Sequence, residues 1–231
     1  MTAIVELRQY TLHPGRRDEL IALFDREFVE SQEALGVQVL GQFRDLDDPN
    51  RFVWMRGFAD SDARALSMTA FYGGPAWKAH RDAANATMLD SANVLQLKPL
   101  GEGFVLGARG ESAGGGLVVG VLHYLDWDAL PAFTEAFNGE MRPRIEVAGG
   151  HLLGAYVTED RPNSFPALPV RMGETVLAYF LGFRDSAAYQ AYGAALEDWR
   201  GAVPEMLLRQ FARKPEVLRL LPTSRSRLRG A

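Results

Sequence analysis

One order of elements runs through this chain twice, and that repetition constrains the fold more than anything else in it. Residues 4–11 alternate Val5 and Leu7 with Glu6, Arg8 and Tyr10, the pattern of a half-buried strand. His13-Pro14-Gly15 turns the chain, and residues 16–35 carry Leu20, Ile21, Phe24 and Phe28 at helical spacing before Gly36 stops them. Strands over 38–44 and 51–58 flank an Asp-, Pro- and Asn-rich turn. Asp60 caps a helix that ends near Phe71. A Gly73-Gly74-Pro75 break starts another helix, with Trp77, His80, Ala84 and Met88 on one face, and residues 93–97 read as a last strand. From Leu117 the order begins again. Leu153-Gly154 repeats Leu40-Gly41, Gly182-Phe183 before Asp185 repeats Gly57-Phe58 before Asp60, and Val217-Leu218 repeats Val94-Leu95. Tyr10 with Tyr124 gives an offset of 114, Gly57 with Gly182 gives 125, and Trp77 with Trp199 gives 122. Matches in order, with an offset that drifts slowly with loop length, mark an internal duplication.

Each copy reads β-α-β-β-α-β, the ferredoxin-like split βαβ unit. Such a sheet carries helices on one face and must cover the other. The expected fold is therefore α+β: two tandem ferredoxin-like units packed sheet to sheet as a single-chain dimeric α+β barrel. The expected divisions are 1–100 for the first unit, 101–116 for a linker with seven glycines, 117–222 for the second unit, and 223–231 for a frayed basic tail.

A formal charge of -4 points to neither nucleic acid nor an acidic membrane, and no apolar run reaches the ~20 residues of a spanning helix. The chain has no Cys, which removes disulfides, thiolate nucleophiles and zinc-thiolate sites together. None of the four His has the spacing of a metal site. A cytoplasmic protein without metal or cofactor is expected, with homodimerisation of the fused pair left open.

The runs VELRQYTLHPGRRDEL, RFVWMRGFAD, FYGGPAWKAHRDAANATM and NVLQLKP resemble the NIPSNAP family of the dimeric α/β-barrel superfamily. The second copy is similar in skeleton only, through HYLDWDALPAF, YFLGFRD and DWRGAVPEM. The resemblance implies a ferredoxin-like α+β fold and self-association. It carries over no reaction, because the wider superfamily includes cofactor-free monooxygenases, polyketide cyclases, haem enzymes and plain binders.

Comparing the copies separates packing from chemistry. Aromatic residues persist, as in Tyr10 with Tyr124, Phe43 with Tyr156, Trp54 with Tyr179 and Trp77 with Trp199. Polar ones do not: Glu6 meets Gly120, Arg8 Leu122, Gln42 Ala155, Arg56 Leu181, His80 Ala202 and Asn85 Leu207. One scaffold half and one working half is the simplest account. Val5, Leu7, Val53 and Met55 are expected to face the helices, and Glu6, Arg8, Trp54 and Arg56 the barrel interior. His80, with a reference pKa of about 6.5, is the candidate acid/base, and Tyr10 and Asn85 are its candidate catalytic partners. Arg8 and Arg56 are candidate anion stabilisers, joined as ligand-binding candidates by Gln42, Trp54 and Trp77. The reading is a small-molecule protein for an aromatic or polyketide-like compound, enzymatic by cofactor-free proton transfer if it is an enzyme at all. The alternatives are a non-catalytic scaffold and, less favoured, a haem protein.

Overall fold

The computed structural model describes residues 2–109, 116–197 and 212–230. The first half runs β1 (Ile4–Leu12), α1 (Arg17–Leu23), a π-helical turn (Phe24–Phe28), α2 (Val29–Glu33), β2 (Gln38–Asp45), β3 (Arg51–Phe58), α3 (Ser61–Gly73), α4 (Pro75–Asn85) and β4 (Met88–Pro99). The second runs β5 (Leu117–Leu125), α5 (Leu130–Ala136), a π-helical turn (Phe137–Met141), α6 (Arg142–Val147), β6 (His151–Thr158), β7 (Thr175–Phe183), α7 (Ser186–Glu197) and β8 (Glu216–Pro222). Asp60 accepts from the Ala63 N–H at 2.7 Å and Asp185 from the Ala188 N–H at 2.8 Å, so both helix starts are capped as the repeat predicts. The segment matching Trp77, with Trp199, Ala202 and Leu207, lies outside the described residues.

The eight strands close into one antiparallel barrel in the order β1-β3-β2-β8-β5-β7-β6-β4. Each half contributes the ferredoxin-like order, and two seams join them: Phe43–Asp45 opposite Leu220–Pro222, and Leu97–Pro99 opposite Tyr156–Thr158. Closure leaves no free sheet edge. The repeated Leu-Gly pair has a physical reason. The ladder slips between Val39 and Gly41 and again between Leu152 and Gly154. A Cβ on Gly41 would sit 2.4 Å from the Phe43 ring, and one on Gly154 3.1 Å from the Tyr156 ring. Glycine at each bulge lets the aromatic two residues on fold back over it.

Ladder register corrects the matching of the copies. Ile4 pairs with Phe58 and Leu117 with Phe183, so Ile4 corresponds to Leu117, an offset of 113. Tyr10 therefore matches His123 rather than Tyr124, Glu6 matches Val119, and Arg8 matches Val121. The same offset relates the π-helical turns at Phe24 and Phe137 and sets Gln32 against Ile145. One residue of slip exchanges the faces of a strand, which is why the correction matters.

The expected assignment of faces is also reversed. Val5, Leu7, Val53 and Met55 pack with Val118, Phe180 and Leu218 of the other half, inside the barrel. Trp54 and Tyr10 pack instead with Phe24, Phe28 and Phe71 of the helices, and Arg56 and Arg64 meet Glu6 on that same side. Sheet and helix layers bury both faces, so strand alternation identifies residues that share a face without saying which face looks inward.

The ends of the two linking segments also differ from expectation. Phe104 packs tilted against Tyr156 and edge-on to Phe180, at ring-centroid distances of 4.7 and 5.4 Å. Residues after Pro222 are not frayed: Leu228 is buried in the barrel core and its N–H donates to the Leu40 carbonyl at 2.8 Å. Phe104 and Leu228 together pack one end of the barrel.

Candidate functional site

Glu6, the third residue of β1, has its carboxylate turned to the helices, and three arginines converge on it. Arg8 Nη1 donates to Oε2 at 2.7 Å, Arg56 Nε to Oε2 at 2.7 Å, and Arg64 Nε to Oε1 at 2.6 Å. All four side chains are at most 1% exposed. Burial alone would raise the Glu6 carboxyl, but the charges of Arg56, Arg8 and Arg64 outweigh it and hold it well below the usual carboxylate range. Glu6 is thus a locked anion, unsuited to act as a base.

Other donors of the cluster reach neutral acceptors. Arg56 Nη1 donates to Gln32 Oε1 at 2.9 Å, and Arg8 Nε donates to the Tyr10 hydroxyl at 2.9 Å. Arg64 Nη1 donates to Asn163 Oδ1 at 2.9 Å and to Ser164 Oγ at 3.1 Å. The Gln96 amide, turned so that its oxygen faces the guanidinium, accepts from Arg64 too. Trp54 lies beneath two of the cations, with the Arg56 and Arg8 guanidinium carbons 5.0 and 5.5 Å from its ring.

Beside this cluster, between sheet and helices, is a cavity of about 30 Å³ lined by Tyr10, Gln32, Trp54, Phe28, Tyr72 and Trp77 among others. Its walls are mostly aromatic, and Trp77 and Tyr72 are half-buried at its mouth. Burial raises the Tyr10 phenol above its ordinary value, so at neutral pH it is a protonated hydrogen-bond donor. Phe165, from the long β6–β7 loop of the second half, stacks on Tyr72 at 5.9 Å and 18°. That loop, through Asn163, Ser164 and Phe165, closes the first half's site from outside.

Of the residues singled out by sequence, Tyr10, Arg8, Trp54, Arg56 and Trp77 come together here. His80 does not line the cavity. It sits at the rim of α4, a third exposed, with Nε2 3.3 Å from Glu27 Oε2 and its ring edge-on to Phe28 at 6.3 Å. Asn85, the last residue of α4, is exposed and lies outside the cavity. Gln42 is buried on β2, where its amide donates to Asp25 Oδ1 at 3.1 Å, away from the cavity lining. Substituting His80 by Ala should change stability by less than about 1 kcal/mol, as for other partly exposed polar contacts, and leave ligand affinity unchanged. Calorimetric unfolding and a binding titration check both.

Arg64, Gln32, Gln96 and Asn163 were missed. Arg64 had a signal, since it shares the α3 stripe of Met68 and Phe71 at four- and seven-residue spacing. The Asn163 loop had none beyond its length. An open hollow of about 590 Å³ near Asn93, Tyr124, Arg171 and Glu216 is less suited to recognition. Its groups are already engaged: Arg171 donates to Glu174 at 2.6 Å and the Tyr124 hydroxyl to Glu216 at 2.6 Å.

Residues 5–100 match the NIPSNAP family, over the span that holds the arginine cluster and the aromatic cavity. No curated protein matches the chain by sequence. Beyond the NIPSNAP match, the whole chain is similar in fold to an anthrone oxidase-like protein, with a TM-score of 0.63 at 10% identity over 100% of this chain and 97% of that one. A candidate monooxygenase from Fusobacterium nucleatum subsp. nucleatum aligns with a TM-score of 0.61 at 12% identity, over 100% and 96%. One from Lactobacillus acidophilus NCFM aligns with a TM-score of 0.56 at 16% identity, over 96% and 94%. At such identities the likeness is one of fold. Among the described residues no helix is long and apolar enough to cross a membrane.

Proposed function

We propose that this chain is a small-molecule-binding protein whose working site is the helix–sheet cleft of its NIPSNAP domain, taking an aromatic or polyketide-like compound. We further propose that chemistry on that compound is cofactor-free and of the proton-transfer type, as in a cyclase, isomerase or oxygenase. The observation that carries the reading is the pairing of an aromatic-lined cavity with a buried arginine cluster in the first copy, where the matching described positions Val119, Leu181 and Ile145 of the second are apolar core. A partner-recruiting scaffold would need neither. Fold neighbours described as monooxygenase- and oxidase-like are consistent with it, as analogy.

Tyr10 is the central group in this reading. Its hydroxyl accepts from Arg8, so its own proton is available to a ligand oxygen in the cavity. A phenol backed by a guanidinium stabilises charge that develops on such an oxygen. His80, at the rim beside Glu27, does not itself line the cavity and is not assigned the base. The cavity holds about a water molecule or two, so a ring-bearing ligand enters only when Trp77, Tyr72 or the Phe165 loop moves.

Native mass spectrometry on protein soaked in host lysate tests the proposal. A retained organic compound is expected, with retention about tenfold weaker in Tyr10→Phe, the value of roughly one hydrogen bond. Retention that ignores both Tyr10→Phe and Trp77→Ala would place the ligand elsewhere and overturn the site.

A further inference from the structure

The cleft carries a charge imbalance that the fold does not require. Arg8, Arg56 and Arg64 share the one carboxylate of Glu6, and among the described residues no other carboxylate is bonded to any of them. Gln32, Tyr10, Asn163 and Ser164 accept their hydrogen bonds without returning negative charge. Excess charge out of contact with water is costly unless a counter-charge joins it.

The second half shows that the architecture stands without these charges. By ladder register and helix offset, Glu6, Arg8, Arg56 and Arg64 correspond to Val119, Val121, Leu181 and Tyr189, and Gln32 to Ile145. Val119, Leu181 and Ile145 pack in an apolar core beneath the second set of helices. The same barrel is thus built once with charges and once without.

Two buried donors of the charged copy also lack partners. Arg56 Nη2 and the Trp54 indole N–H are both buried without an acceptor, and Trp54 lines the cavity. Unmade hydrogen bonds at buried donors are unfavourable, and an incoming acceptor removes that cost.

We infer that the ligand of the NIPSNAP cleft binds as an anion: a carboxylate, or the ionised oxygen of an enol or phenol, attached to an aromatic body. The inference rests on the small-molecule reading above and specifies its charge. The aromatic walls take the ring, Tyr10 donates to the anionic oxygen, and Arg8 and Arg56 supply the field. Because the positive charge is already present, an acidic enol or phenol loses its proton on entering the site, and the proton leaves to solvent.

Isothermal titration with 2-naphthoate and its neutral isostere 2-naphthamide reads the charge directly. The carboxylate is expected to bind about tenfold to 100-fold more tightly, the range for one charge-assisted hydrogen bond. Arg56→Lys and Arg56→Gln should lower the ratio of 2-naphthoate to 2-naphthamide affinity, the Gln variant more than the Lys one. With 2-naphthol, heats measured in buffers of different ionisation enthalpy should show net proton release. Equal affinity for the two isosteres would overturn the anion and leave the aromatic site standing. Binding of neither, or binding that survives in Tyr10→Phe and Trp77→Ala, would overturn both. Should Arg56→Gln fail to fold, the isostere ratio and the proton release in the unaltered protein still decide.

Discussion

Glu6→Gln is expected to remove about 3–5 kcal/mol of stability, the usual cost of taking one partner from a fully buried ion network. That is a large part of the roughly 5–15 kcal/mol by which a domain is stable at all. The expectation follows from geometry: one carboxylate accepts from three guanidiniums at 2.6–2.7 Å, and an amide offers no charge to any of them. A compound variant with Glu6→Val, Arg8→Val, Arg56→Leu and Arg64→Tyr, copying the second half, should recover most of that loss while abolishing anion binding. Urea unfolding midpoints compare the three proteins. A compound variant no more stable than Glu6→Gln would show the cluster to be structural. The pH dependence has a definite sign. The Glu6 carboxyl is held below its unfolded value of 4.5, so its stabilisation is complete above that pH. It is lost as pH falls from there toward the folded value, and Glu6→Gln should lack this dependence.

A second large effect comes from the other copy, at the position matching Tyr10. His123 is buried against Phe133 and Tyr179, with ring centroids 5.2 and 5.7 Å away, and burial pushes its pKa down to about 4. The unfolded chain takes up the proton near 6.5 and the folded one does not until about 4. Stability is therefore full above pH 6.5 and declines as pH falls through that window, by up to about 3 kcal/mol at its lower end. His123→Phe keeps a ring in place and removes the proton, so its thermal midpoint should stay level between pH 6.5 and the onset of carboxylate protonation. Parallel slopes for the two proteins would discard His123 as the source.

Much of the fold was legible because its signals are local. The caps at Asp60 and Asp185, the Leu-Gly bulges and the Gly-Phe strand ends are set by a few neighbouring residues. Their double occurrence was enough to expect the barrel. What failed needed non-local information. Val5 and Glu6 alternate clearly, yet both are buried, and only the closed barrel decides which side is interior. Tyr124 looked like the partner of Tyr10 because residue identity was matched instead of ladder position. Tyr10, Arg8, Trp54, Arg56 and Trp77, which the structure brings together in one cleft, could be singled out because they stand in strands or a helix with readable periodicity. Asn85 was chosen although it lies on the polar side of its helix. Asn163 and Phe165 reach the site from a loop some 100 residues away in sequence, where no periodicity exists to read.

Covalent joining of the two halves has a consequence for how such a site can arise. In a barrel made of two identical chains, every substitution is present twice, so a buried cluster of excess charge would burden both sheets. Here the two halves share one backbone but not one sequence. Among the described residues the unfavourable cluster occurs once per barrel, and the other half is free to optimise packing. The uncharged half can also lend Asn163, Ser164 and Phe165 to its neighbour, an unequal exchange that identical halves could make only in both directions at once.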